Sequence, residues 1–455
     1  MRRTLIATAA LGIILAPLNA TMVVVALPVI RSDFNLDYGQ VTWLVSAYLV
    51  AIAVVQPIGG RLGDHFGNAR VFRFGLWGFI AASIACAASP SFFILLVARI
   101  GQALAGAAII PNGLAMVRRS AGAENLGRSM GTLGAVIALS AGAGPLIAAL
   151  LLLSSEWRLI FVFSLLPSLG ALSLIRSIEG AEHEERGSLA LDWIAALLLL
   201  AVLGSGGLLL NVASGHAGGL SAAVAAAILA SSTLLLLRRE IRSNAPLLNL
   251  RLLRSKPFLA ATMFGLLSNI LLYVVLLSVP FIVTEEGGRS ASEAGALLGG
   301  MSILVVVLSP FSGRISDSIG RRGPGVLGAI LQLAGFAFLL VLAKNGIDPA
   351  LLSLPLLLLG LGIGVGLAPA TTAAIEAAPI DMAGAAAGLN SLMRYVGNFV
   401  GAGLLGASLA SSSNFSPRML SPALIVGLAC GFALVVCATG LAEKNAPNAQ
   451  FALTD

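Results

Sequence analysis

Pro57-Ile58-Gly59-Gly60-Arg61-Leu62-Gly63-Asp64-His65-Phe66-Gly67 and Pro310-Phe311-Ser312-Gly313-Arg314-Ile315-Ser316-Asp317-Ser318-Ile319-Gly320 are one pattern written twice. Proline, glycine, arginine, aspartate and glycine recur in the same order, every one of them 253 residues further on. Each copy follows a long apolar run. Agreement at five positions of such uneven chemistry points to a duplicated half rather than to two unrelated turns. The glycines permit close backbone approach or positive φ in a tight turn. The aspartate between them can cap a helix start or pair with the nearby arginines.

The repeat is set in a chain of 455 residues, 58% hydrophobic and 10% charged, with a mean hydropathy of +0.98. Soluble domains carry about 25% charged residues, so a single water-soluble core is excluded. Apolar runs fall at about 5–30, 41–59, 71–88, 92–117, 129–153, 159–175, 190–211, 219–237, 257–283, 291–312, 324–343, 349–373, 384–411 and 420–441. A helix crosses a bilayer in about 20 residues, and only helices or closed barrels satisfy their backbone in lipid. These fourteen runs therefore predict an all-α membrane protein. The start, Met1-Arg2-Arg3 followed by apolar sequence to Leu18-Asn19-Ala20, imitates a secretory leader. Apolar sequence resumes at Met22, however, and the whole segment is read as an uncleaved first span.

The net charge is +7. With the amino terminus placed in the cytoplasm, twenty of the 27 Lys and Arg fall on the cytoplasmic side and five on the other: Arg31, Arg158, Arg289, Lys344 and Arg418. Arg99 and Arg394 fall inside spans. This asymmetry orients both termini inward, in a multi-pass protein of the cell inner membrane. Aromatics make up 6% and interleave with no basic stripe, so nucleic-acid binding is excluded. The three cysteines, Cys86, Cys430 and Cys437, lie in apolar runs without metal-ligand spacing. The histidines, His65, His183 and His216, sit in separate connections, leaving no base for a hydrolytic nucleophile. No phosphate-cradling loop is present. An enzyme is not expected, and neither is a cofactor or a metal.

The turn at Gly60, Leu62, Asp64, Gly67 and Arg70 resembles the signature of the major facilitator superfamily, with Asn68 and Ala69 where basic residues are usual. The second copy ends more fully, in Arg321-Arg322. Further matches resemble the fourteen-helix drug:proton antiporters. They are Leu18-Asn19-Ala20-Thr21 through Ala26-Leu27-Pro28, Trp43 and Tyr48, Arg99-Ile100-Gly101-Gln102, Gly144-Pro145, Trp157-Arg158 to Phe161, and Pro246 to Arg254. Ala103 replaces a usual glycine, and Ala148-Ala149 a glycine pair. The resemblance implies the major facilitator fold: two six-helix bundles, with two extra helices between them, fourteen transmembrane helices in all. The expected division is 1–176 for the first bundle, 177–256 for a linker with the additional pair, 257–443 for the second bundle and 444–455 for a short cytoplasmic tail. The acids Glu179, Glu182, Glu184 and Glu185 are read as a solvated part of that linker. The resemblance also implies a conformational latch at Gly60, Arg61, Asp64, Gly67 and Arg70 and at Gly313, Arg314, Asp317 and Gly320. A helix kink is expected at Gly144 and Pro145, where neighbours can satisfy the freed carbonyl.

Polar groups inside a membrane are costly and mark sites by default. Arg99 and Gln102 share a helix face at i, i+3, and Asn390, Arg394 and Asn398 form a stripe at i, i+4, i+8. With Asn19, Tyr48, Asn112, Asn269 and Tyr273 they are the candidate substrate-binding residues; tyrosine and asparagine suit a planar organic solute. No acid lies near mid-span in any run, Glu376 and Asp192 standing at helix ends. The resemblance expects an aspartate where Asn19 stands, and an amide does not exchange a proton at physiological pH.

The expected function is that of a secondary transporter working by alternating access and exporting drug-like or metabolite compounds. The alternative is import of a neutral or anionic metabolite or a vitamin such as riboflavin, motivated by Asn19 and the two buried arginines. A non-transporting sensor or scaffold is the remote reading; no soluble domain is appended, and the tail after Lys444 is short. The expected partners are a small-molecule solute, the lipid bilayer and a proton or other coupling ion, the protein acting as a monomer.

Overall fold

In the computed structural model, residues 2–120, 123–175, 192–212, 219–243, 248–345, 349–379, 382–410 and 415–441 are described. The first bundle comprises α1 (Arg2–Ile13), α2 (Leu15–Asp33), α3 (Tyr38–Phe66), α4 (Asn68–Ala87), α5 (Phe92–Ser120), α6 (Ala123–Leu151), α7 (Leu159–Phe163) and α8 (Leu165–Ile175). A pair, α9 (Trp193–Val212) and α10 (Gly219–Arg242), precedes the second bundle. That bundle comprises α11 (Lys256–Phe281), α12 (Ala291–Ile319), α13 (Arg322–Asn345), α14 (Ser353–Glu376), α15 (Ala383–Ala410) and α16 (Ser421–Thr439). No strand occurs among the described residues. The acidic stretch 179–185 and the tail 444–455 lie outside them.

Among the described residues, twelve helical spans are long and apolar enough to cross a membrane. The other two runs are Leu159–Ile175, apolar but shorter, and α15, which carries the polar stripe. Side chains on the bundle's outer surface, including Phe74, Leu153, Leu220 and Val436, are both apolar and exposed, a surface that suits lipid. The first run is built into the bundle. Leu15, Ala16 and Leu18 to Pro28 of α2 are all buried, and α2 packs on α3, α6, α11 and α12.

Prolines place the breaks. The nitrogen of Pro17 cannot donate to the Ile13 carbonyl, and α1 ends at Ile13; Pro167 stands in the same relation to Phe163, where α7 ends. Elsewhere a neighbour takes up the freed carbonyl and the helix continues. Pro369 lies within α14, and the Val365 carbonyl four residues earlier accepts from the Ser312 hydroxyl of α12.

The repeat is visible in the backbone. α3 and α12 both end on a glycine with φ of 95°, Gly67 and Gly320, and no other residue in the described chain has that value. Only glycine takes this conformation at low cost, so the last position of each copy is a conformational requirement.

The bundles meet along two seams, α3 on α15 and α6 on α12, with α2 and α11 between them. Small residues bring these helices together: an added Cβ at Gly406 would sit 2.7 Å from Thr42 Oγ1, and one at Gly295 would sit 2.8 Å from the Pro145 carbonyl. α9 lies beside the first seam, with Gly207 against Phe399 and Leu210 against Gly403. The pair is clipped at its base, where Asp192 caps α9 through the Ala195 amide (2.9 Å) and accepts from Arg239 of α10 (2.8 Å). Partial burial pushes the Asp192 carboxyl up, but those two donors outweigh it and hold the group below its usual range.

Candidate functional site

Gly144-Pro145 does not end α6, which continues to Leu151. The pair sits at a close packing point: Gly144 has no room for a Cβ against Thr21 of α2, and the Pro145 carbonyl faces Gly295 across the seam.

Two residues before Thr21, on α2, Asn19 is fully buried. Its amide nitrogen donates to Ser164 Oγ (2.8 Å), at the proline-made break between α7 and α8, and its oxygen accepts from Arg99 Nη1. Arg99 of α5, also fully buried, donates to Gln102 Oε1 (2.5 Å), and Gln102 passes the chain on to Ser83 Oγ of α4 (2.8 Å). The guanidinium lies 4.1 Å from the centre of the Tyr48 ring, a cation–π contact, and Tyr48 is tied to the Ala16 carbonyl (3.1 Å). Nε and Nη2 of Arg99 are buried without a hydrogen-bond partner.

The second bundle brings another polar group to the same region. Gly397 and Gly401 of α15 press onto the Leu266 and Ile270 carbonyls of α11, which sets Asn269 and Tyr273 beside the stripe of Asn390 and Arg394. Arg394 Nε, Asn390 Oδ1 and Asn398 Oδ1 have no partner, whereas Asn269 donates back to its own helix at Gly265 (2.7 Å). Tyr273 feels the charge of both Arg99 and Arg394. Tyr395 of α15 packs on the cluster of Ala16, Ala20, Tyr48 and Ala103 from the first bundle. Tyr48, Arg99, Tyr273, Arg394 and Tyr395 thus form one group where the bundles meet.

Asn112 stands apart. Its side chain bonds Asn68 (2.8 Å) and the Gly59 carbonyl (2.8 Å), stitching α5 to α4 and α3 below the first glycine turn. Gly63 exists for this contact, since any Cβ there would overlap Asn112 Oδ1. This also accounts for Asn68 in place of a basic residue: it is buried and bonded. Asn398 is buried on the stripe, its Oδ1 without a hydrogen-bond partner.

At the turns, Asp64 pairs with Arg119 (3.3 Å), both exposed. In the second copy Arg321 carries more: Asp317 (2.5 Å), Ser316 (2.6 Å) and Glu376 (2.6 Å). Glu376 first, then Asp317, hold its pKa above the ordinary arginine value. Arg61 lies near enough to Asp192 to lower its pKa. Gly60 lies against Pro111, whereas Gly313 has open space around it, and Arg314 is exposed.

The opposite end of the molecule is closed between the bundles. Arg31 of α2 pairs with Glu285 after α11 (2.8 Å) and lies 3.7 Å from the centre of the Tyr38 ring; Tyr38 in turn packs on Phe281 and Phe415. Sequence reasoning counted Arg31 only as a loop charge and missed Tyr395 altogether. A signal was available: of four tyrosines in the chain, Tyr48, Tyr273 and Tyr395 lie at the centre and Tyr38 at this seal.

The Major Facilitator Superfamily model matches residues 9–402. The chain is 31% identical to the MFS-type transporter YvkA of Bacillus subtilis, over 97% of its own length and 98% of that protein's. It is 32% identical to a tetracenomycin C resistance and export protein of Streptomyces glaucescens (90% and 76%) and 30% identical to the multidrug resistance protein Stp of Mycobacterium tuberculosis (91% and 78%). Among solved structures it resembles the inward-open xylose transporter XylE from E. coli, with a TM-score of 0.67 at 12% identity over 98% and 97% of the two chains. A peptide transporter in complex with sulfate aligns with a TM-score of 0.70 at 16% identity over 96% and 94%. At such identities the likeness speaks for the fold alone.

Proposed function

The chain belongs to the Major Facilitator Superfamily, a transporter family rather than a family of enzymes, and from that membership we propose that it exports small organic compounds across the cytoplasmic membrane by alternating access. The observation that carries this is the central group of Arg99, Tyr48, Tyr273, Arg394 and Tyr395, contributed by both bundles, beneath an end closed by Arg31, Glu285 and Tyr38. Relatives named for resistance and export support the outward direction and a place beside the fourteen-helix drug exporters. Residues 1–176 and 257–443 are the two moving bodies, 177–256 links them, and both termini, including the tail 444–455, are cytoplasmic. The transporter works as a monomer. The two glycine turns, with Asp64 on Arg119 and Asp317 on Arg321, latch the helix ends on the cytoplasmic side.

Import of a neutral or anionic metabolite, a vitamin such as riboflavin included, is the second reading. It is favoured by Asn19, an amide where the resembled exporters place a carboxylate. Flux of a drug panel and of riboflavin into everted and right-side-out vesicles separates the two. Export expects drug accumulation in everted vesicles; riboflavin accumulating only in right-side-out vesicles would replace export with import.

A further inference from the structure

Among the described residues, no acidic side chain partners Arg99. Its polar partners, Asn19 and Gln102, are both neutral, and two of its three nitrogens are unbonded although buried. Among the described residues, the titratable groups close enough to feel its charge are Tyr48, Cys86 and Tyr273; Arg394 is faced by Tyr395 and Tyr273. None is a carboxylate, and phenols and thiols are uncharged near neutral pH. Across the interface wait three more unpartnered polar atoms, Arg394 Nε, Asn390 Oδ1 and Asn398 Oδ1. Two arginines in a membrane interior without a counter-ion are a costly arrangement, stable only when the missing charge is supplied.

We propose that the solute itself supplies it: the transporter binds organic anions, an acidic group of the solute lying on Arg99 and drawn toward Arg394, with its ring stacked among Tyr48, Tyr273 and Tyr395. This deepens the export reading and rests on it. Asn19 is what makes the arrangement work, since an aspartate there would neutralise Arg99 and compete with the solute. It also removes the group on which a coupling proton would ride. The energy then comes from the membrane potential, because an anion leaving a negatively charged cytoplasm moves downhill. A potential of about 100 mV supports an about 50-fold gradient of a monoanion, at about 2.3 kcal/mol per charge.

The test uses the full chain in proteoliposomes and three planar probes of similar size: naphthalene-2-sulfonate, naphthalene-2-sulfonamide and N-methylquinolinium, which are anionic, uncharged and cationic. Potential and pH gradient are clamped separately. The sulfonate accumulates under a lumen-positive potential with no pH gradient, the other two do not, and Arg99→Gln lowers accumulation at least about tenfold, as expected for a lost hydrogen bond to a charged group. Asn19→Asp, nearly the same shape and so a guard against misfolding, lowers it by a similar factor. Accumulation driven by the pH gradient alone, or equal accumulation of sulfonate and sulfonamide, would overturn the proposal. Transport of N-methylquinolinium in preference to the sulfonate would overturn it while leaving export intact. Failure to move any of the three would count against export as well.

Discussion

The carboxamide oxygen of Asn19 accepts a hydrogen bond from the guanidinium of Arg99, eighty residues along the chain and equally buried. The polar partner that α2 gives the central cation is thus neutral at every physiological pH. Asn19→Asp creates a titratable ion pair at the heart of the molecule, and transport by the variant gains a pH dependence that the parent lacks. Initial rates between pH 5 and 8 check this; superimposable profiles for the two proteins would contradict it.

Gly63→Ala forces a Cβ into Asn112 Oδ1 and disrupts its bonds to Asn68 and Gly59. Overpacking of this kind costs about 1–3 kcal/mol. Gly313→Ala, in the second copy, meets nothing within 4 Å and is expected to be neutral or slightly stabilising. Thermal unfolding in detergent compares the two, and equal melting temperatures would show that the Asn112 contact is dispensable.

The two glycine turns are unequally built. Asp64 and Arg119 form an exposed pair worth at most about 1 kcal/mol. Arg321 holds two carboxylates and a hydroxyl while largely covered itself. Asp64→Asn therefore slows turnover modestly with solute affinity little changed, and Arg321→Gln slows it more. Maximal rates and half-saturation concentrations for both variants decide it; an affinity loss at normal maximal rate would contradict the latch.

Much of this is legible in the sequence. The doubled turn predicted the repeat, and Gly67 and Gly320 confirm it in their shared backbone conformation. Helical spacing alone places Arg99 and Gln102 on one face, and they are bonded. Contacts between distant helices were not readable. Asn112 looked like Asn19, a lone amide in an apolar run, yet one lies beside Arg99 and the other beneath Gly63, because helix packing and not local pattern decides what a side chain meets. Arg31 and Glu285, 254 residues apart, carry no signal of pairing in sequence.

Glu285→Gln removes the charge that holds Arg31 across the two bundles. The pair is partly covered and worth about 1 kcal/mol, enough to shift a two-state equilibrium about fivefold toward opening of the end that it closes. Labelling of Thr42→Cys by a membrane-impermeant maleimide is the readout. It rises severalfold in the Glu285→Gln background, and an unchanged rate would show that Arg31 and Glu285 do not gate that end.

Thr42 and Gly406 offer the most direct test of two bodies rocking about a common centre. A Cβ on Gly406 would lie 3.5 Å from that of Thr42, the separation a disulfide requires, and the two residues belong to different bundles. With Cys86, Cys430 and Cys437 replaced, Thr42→Cys combined with Gly406→Cys is oxidised in vesicles and solute flux is measured before and after reduction. Alternating access predicts that flux stops once the cross-link forms and returns with reductant. Undiminished flux through a fully cross-linked protein would contradict it.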